Sequence, residues 1–257
     1  MKFRAFSKIL WPCLLFLAFF GSASASGQVE RVYGRAYNED GRLEYIEEHL
    51  VRFENDSIVA INTVFYDSDH QRIGEMVSDF SPGPANGSYD FRDERQRYSD
   101  GVRVMPDRIQ IYSEDPNDEK RKIKYLPHQS SQIFGQGFNR FIVAHLDALV
   151  RGERITAKFV FPAKMDQYDI IIGKHKIENN RMLVRIDLDS WFLRLFVPHL
   201  EAEYDLSTGR LLRYQGVSMI SDASGDTVAV NIFYDYPRES ILLSSRFKQV
   251  VSAARNN

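Results

Sequence analysis

Apolar and polar residues alternate along much of the chain. In 181–188 (RMLVRIDL), Met182, Val184, Ile186 and Leu188 fall on one side of an extended backbone, with Arg181, Arg185 and Asp187 on the other. Segment 227–236 (TVAVNIFYDY) repeats this with Val228, Val230, Ile232, Tyr234 and Tyr236, and RIQIY (108–112) and KIKYL (122–126) are shorter cases. One apolar and one polar face is what antiparallel strands need to cover a core from one side. Turn chemistry separates the runs: Glu39-Asp40-Gly41, Asp67-Ser68-Asp69, Ser99-Asp100-Gly101, Asp115-Pro116-Asn117-Asp118, Glu178-Asn179-Asn180, Ser207-Thr208-Gly209 and Ser224-Gly225-Asp226. Three hairpins, AYNEDGRLEY (36–45), FYDSDHQRIGE (65–75) and EYDLSTGRLLRYQG (203–216), share turn residues but neither spacing nor flanks, so they are not a structural repeat. The pattern predicts a mainly β (α+β) chain, a large curved antiparallel sheet or open barrel built from hairpins.

Helical spacing is clearest in 137–153 (GFNRFIVAHLDALVRGE), where Phe138, Phe141, Ile142, His145 or Leu146, and Leu149 recur and Gly152 is a stop. This predicts one amphipathic helix near 138–151. A weaker stripe, Leu243, Phe247, Val250, Val251 and Ala254, predicts a C-terminal helix. Segment 189–199 (DSWFLRLFVPH) fits either a short helix capped by Asp189 or Ser190 and ended by Pro198, or a buried strand. Segments 80–88 and 126–137 read as loops; no linker-like tract divides the chain, so 26–257 is expected to be one β-rich domain with a sub-division near 126–137.

The first residues change the compartment. Lys2, Arg4 and Lys8 precede an apolar run from Ile9 to Phe20, then Ala23-Ser24-Ala25, the pattern of a secretory signal peptide cleaved after Ala25. The run is shorter than the roughly 20 residues that span a bilayer. Cys13, the only cysteine, lies within it, so the mature 232 residues are expected to have no disulfide, thiol nucleophile or thiolate metal site. Removing three basic residues leaves 30 Lys and Arg against 35 Asp and Glu, a net charge of about −5. That argues against nucleic acid, which selects a concentrated basic face. The expected product is periplasmic, with no transmembrane segment after cleavage.

Catalytic signatures are sparse. Gly-x-Ser-x-Gly is absent, and Gly135-Gln136-Gly137 lacks the third glycine of a phosphate loop. DSDHQRIG (67–74) has Arg72 where a calcium loop needs glycine and Ser78 where it needs glutamate, so a plain hairpin turn is expected. The six histidines are scattered, and His145 reads as a core or boundary residue. Asp187 and Asp189 share a strand face with Arg185, which reads as a surface ion-pair cluster before a carboxylate pair for hydrolysis. DEKRKIK (118–124) reads as a charged hairpin arm. No catalytic residue, metal ligand or cofactor site is assigned.

The aromatic content remains, 18 Phe and 13 Tyr. A curved sheet with a helix in its concavity makes either a solid core or an apolar pocket. The lining of such a pocket is expected to be Phe138, Phe141, Ile142, Phe159, Phe161, Trp191 and Phe192.

The order of elements, with Tyr204-Asp205-x-x-Thr208-Gly209-x-Leu211, resembles the periplasmic half-barrel proteins of the outer-membrane lipoprotein carrier and receptor (LolA/LolB-like) fold and related exported proteins. That resemblance implies an unclosed barrel whose helices plug an apolar, lipid-receiving cavity. This chain is longer and has one convincing internal helix where the carriers have more of a lid, so no functional residue is carried over. The function expected is non-enzymatic binding or carriage of a lipid or acyl chain. The alternatives are an envelope scaffold or assembly factor with a solid core and a protein partner, and a hydrolase using Asp187 and Asp189.

Overall fold

The computed structural model describes residues 28–81, 87–190 and 199–237. The described residues open with an eight-stranded meander: β1 (Gln28–Tyr37), β2 (Leu43–Glu54), β3 (Ser57–Tyr66), β4 (Arg72–Asp79), β5 (Ser88–Asp93), β6 (Tyr98–Val104), β7 (Arg108–Glu114) and β8 (Lys122–Pro127). A short β9 (Gln132–Ile133) leads into helices α1 (Gly137–Ala144) and α2 (Leu146–Val150). Six strands follow: β10 (Ile155–Phe161), β11 (Asp166–Glu178), β12 (Arg181–Leu188), β13 (Leu200–Asp205), β14 (Leu211–Val217) and β15 (Ala229–Asp235).

The fifteen strands of the described residues belong to one curved, unclosed sheet, ordered β8 to β1 and then β15 to β9. Neighbours are antiparallel except β9 and β10. The two meanders are joined by β1 and β15, from Tyr33 opposite Asp235 to Tyr37 opposite Asn231. Register shifts at Ala36/Tyr37, Arg52/Phe53, Phe65/Tyr66, Lys174/Lys176 and Glu203/Tyr204 add the extra residues that bend strands and increase twist. The two ends of the sheet meet through side chains. Gln132, fully buried, donates from Nε2 to the Pro127 carbonyl (3.0 Å) and to Gln167 Oε1 (2.8 Å), and Lys124 pairs with Asp166 (3.1 Å).

The strands read from 108–112, 122–126, 181–188 and 227–236 are present as β7, β8, β12 and β15. Ser99-Asp100-Gly101 is a correction: these residues lie inside β6, paired with Glu114, Ser113 and Tyr112. Asp100 is buried among tyrosines, and Gly101 leaves space that a Cβ would fill 2.4 Å from the Tyr89 carbonyl and 2.6 Å from the Tyr112 ring. The expected helix is present but broken at His145, whose φ of −111° and ψ of 10° leave the helical region. The C-terminal helix and Trp191–Pro198 lie outside the described residues.

Two main clusters fill the interior. One, on β1–β7 and β15, includes Tyr45, Phe65, Met76, Phe91 and Ile111 and takes in Phe134, Val160 and Ile220. The other packs Phe141, Ile142 and Leu149 of the helices against Ile170, Ile172, Met182, Val184, Ile186 and Ala202. β10 serves both, since Ala157 joins the helix-covered cluster and Val160 the other.

Candidate functional site

The helices bind their apolar side to β10–β13. Ile142 is fully buried and Phe141 nearly so. Phe138 meets Phe159 edge-on (centroids 5.9 Å apart, 84°), and Phe159 meets Phe161 at 6.2 Å. Phe138, Phe141, Ile142 and Phe159 are therefore brought together against one cluster, whereas Phe161 sits at the rim, 40% exposed. Trp191 and Phe192 lie outside the described residues.

His145 folds back on this side. Its Nδ1–H donates to the Phe141 carbonyl (2.8 Å) and its ring lies tilted at 36° against Phe141, centroids 4.3 Å apart. The bond occupies a carbonyl at the end of α1, where helix partners run out. Lys174 Nζ does the same for the Val150 carbonyl of α2 (2.7 Å). The 203–216 hairpin also holds the helix. Tyr204 Oη donates to Asn139 Oδ1 (2.9 Å), Leu206 packs into the helix-covered cluster, and the turn closes through Gly209 at φ +70°.

The other side of α1 is polar. Alternation on β2 turns Tyr45, Glu47, His49 and Val51 inward, and Thr63 does so on β3. Glu47, 6% exposed, accepts from His49 Nε2 (2.9 Å) and from Tyr234 Oη (3.2 Å). A carboxylate accepts only, so Nε2 carries the proton and Nδ1 accepts from the Thr63 hydroxyl at 2.7 Å. Gln136, the residue before α1, inserts its carboxamide here. Its Nε2 donates to Thr63 Oγ1 and lies 3.4 Å from His49 Nδ1, while its Oε1 is buried with no partner among the described residues. The cluster is tight: a Cβ on Gly34 would stand 2.9 Å from Glu47 Oε2. Burial, then the charge of Glu47, pushes the Tyr234 phenol well up, so it stays a donor. One turn further, Arg140 donates to the Ile58 carbonyl (2.7 Å) and covers the Phe80 ring at 4.3 Å; burial lowers its pKa. Thus α1 is greased on one flank and hydrogen-bonded to the β2–β3 wall on the other.

A second inward polar group lies on β5–β7. Asp100, 5% exposed, accepts from Tyr89 (3.2 Å) and Tyr98 (2.8 Å), and Ser113 contacts the Tyr98 hydroxyl (3.3 Å). Burial pushes its carboxyl up to about 6, with both tyrosine donors opposing the rise.

Sequence reasoning missed both groups. The available signal was parity: in YIEEHLV (45–51), Glu47 and His49 share the register of Tyr45 and Val51.

The remaining candidates are superficial. Asp187 pairs with Arg185 (3.3 Å), and the Asp189 N–H bonds the Asp169 carbonyl (2.8 Å). The 67–74 segment is a hairpin turn closed on Asp67, whose Oδ1 accepts from the backbone N–H of Asp69 and Gln71. The 118–124 arm is held by a Lys122–Asp118 pair and by Arg121 lying 3.7 Å over Tyr112. Two surface depressions, of about 700 Å³ (Lys176, Arg181, Glu203, Arg213) and 390 Å³ (Gln167, Asp169, Asp189), are polar. Among the described residues no three His, Cys, Asp or Glu converge as a metal site, and no helix is long and apolar enough to cross a membrane.

No family model and no curated protein matches the chain. Among solved structures, it is similar to a protein from Brucella abortus described as a β-barrel-like protein of a domain of unknown function, DUF1849. The match covers 81% of this chain and 97% of that one, with a TM-score of 0.39 and 9% identity. The lipoprotein-carrier likeness is not among these findings.

Proposed function

We propose that the protein is an exported, periplasmic, non-enzymatic carrier that shelters an apolar ligand, a lipid or acyl chain, in the concavity occupied here by α1 and α2. The observation that carries this reading is the two-sided seating of α1. Its apolar flank covers a wide hydrophobic floor, while its opposite flank is fastened by a few polar contacts that leave a buried acceptor of Gln136 unpaired. Such contacts can be exchanged for water when the helix moves; an apolar seam on both flanks would offer no such route. The break at His145 and the positive φ of Gly135 (+50°) bracket the segment that would move. An acyl chain would then take over the contacts of Phe138, Phe141 and Ile142.

The test is to purify the protein from envelope under non-denaturing conditions, extract it with organic solvent and identify bound lipid by mass spectrometry. Near-stoichiometric lipid supports the reading; a lipid-free protein that takes up no fluorescent acyl probe overturns it. A second reading, an envelope scaffold with a solid core, is favoured by the completeness of packing around Ile142, Leu149 and Val184, all fully buried. Recovery of a stoichiometric protein partner with a lipid-free interior selects it.

A further inference from the structure

We infer that Thr63, His49 and Glu47 form the seat of the ligand's polar headgroup, and that this headgroup is an uncharged hydrogen-bond donor, a hydroxyl or an amide, rather than a carboxylate. The inference rests on the carrier reading above. Every residue of the seat belongs to the wall: Glu47 and His49 on β2, Thr63 on β3, with Tyr234 on β15 bonded to Glu47. Its occupant, the Gln136 carboxamide, belongs to the plug. The occupant fits on one side only, donating to Thr63 while its Oε1 is buried with no partner among the described residues. A buried acceptor without a partner is costly, and withdrawal returns it to water.

Withdrawal leaves Thr63 Oγ1 without its donor. The Thr63 proton is already committed to His49 Nδ1, because the Glu47 carboxylate fixes the imidazole proton on Nε2. The open position therefore asks for an O–H or N–H. Charge selects further. Glu47 is buried and already brings one negative charge, and the neutral His49 that accepts from Thr63 supplies no positive charge against a second. Tyr234 adds a donor but no positive charge, and Arg140, which donates to the Ile58 carbonyl, is on α1 and leaves with the plug. A fatty-acid anion would be a second buried negative charge, with no cation beside it among the described residues of the wall. Monoacylglycerols and fatty amides have the required chemistry.

The test is displacement of a fluorescent acyl probe with an uncharged headgroup by monooleoylglycerol, oleamide or oleate at pH 8, on the full chain and its variants. Wild type is expected to prefer the two neutral amphiphiles over oleate by about tenfold, the scale of one well-made hydrogen bond. Thr63→Val should bind the two neutral amphiphiles several-fold more weakly with oleate displacement unchanged, whatever preference remains being the repulsion of oleate by Glu47, and Thr63→Ser should bind them as wild type does. Gln136→Ala, which removes the internal competitor, should bind monooleoylglycerol several-fold tighter whether or not Thr63→Val folds. Equal displacement by all three in wild type, unweakened displacement by the neutral amphiphiles in Thr63→Val, or no gain in Gln136→Ala overturns the headgroup assignment and leaves the carrier reading standing. A wild-type protein that binds no probe overturns both.

Discussion

Asp100 gives the fold a pH dependence that can be worked out beforehand. Its folded-state carboxyl, raised by burial to about 6, stands about two units above the ordinary 3.8, and each unit is about 1.36 kcal/mol. The folded protein thus holds this proton more tightly than the unfolded chain. The stabilisation, about 3 kcal/mol, is complete below pH 3.8 and is lost as pH rises through 6. About 1.4 kcal/mol remains at pH 5 and almost none at pH 8. Asp100→Asn removes the titration while preserving the bonds. The carboxamide oxygen accepts from Tyr89, its NH₂ donates to the Tyr98 oxygen, and the Tyr98 hydroxyl turns to Ser113. Urea unfolding followed by far-UV circular dichroism at pH 5, 6, 7 and 8 measures both proteins; contributions from all other groups cancel in the difference between them. The advantage of the variant should grow by about 1.4 kcal/mol from pH 5 to pH 8. A difference that stays flat, or shrinks with pH, would show that Asp100 is not held neutral by burial.

Three further substitutions probe other contacts. Gly34→Ala forces a methyl within 2.9 Å of Glu47 Oε2 and about 3 Å of Ile232, and should cost about 1–3 kcal/mol in thermal unfolding; an unchanged melting temperature would contradict the tightness of that cluster. Gly101→Ala meets the Tyr89 backbone carbonyl, which has no rotamer with which to yield, so a loss of about 3 kcal/mol or more and poor soluble yield are expected, and a stable variant would refute the packing. Arg210 bonds Glu30 at 2.6 Å with both side chains largely buried, and it covers Tyr236 at 4.4 Å, tying the 203–216 hairpin to β1. Arg210→Ala should cost about 2–4 kcal/mol, and adding Glu30→Gln should recover part of it, because the orphaned charge is then removed; no recovery would mean that the loss is packing alone.

What was legible in the sequence was local. Strand β12 was readable from Met182, Val184 and Ile186 because a one-sided strand must alternate. The helix was readable from Phe138, Phe141 and Ile142, but its break was not, since His145 fits the stripe; its backbone leaves the helical region while its imidazole bonds the Phe141 carbonyl. Asp100-Gly101 resembled a turn because those residue types favour turns when exposed; here one is buried between tyrosines and the other makes room for a ring. Glu47 and His49 were passed over because polar residues on a strand read as its wet face, and only parity with Tyr45 and Val51 places them inside. The pairing of β1 with β15, nearly two hundred residues apart, leaves no local mark. Likewise, the two-faced burial of β10 depends on which surfaces the curled sheet brings together, a property of the fold rather than of any segment.

The central claim is that α1 is a displaceable plug, and native-state amide hydrogen exchange on the unliganded protein tests it most directly. If α1 leaves its seat without unfolding the sheet, amides of Phe141, Ile142 and Val143 should exchange through a sub-global opening whose denaturant dependence is clear but smaller than that of global unfolding, about 2 kcal/mol or more below that of Val184 and Ile186 on β12. If the α1 and β12 amides exchange only by one shared global opening, the helix is part of a solid core and the carrier account is wrong.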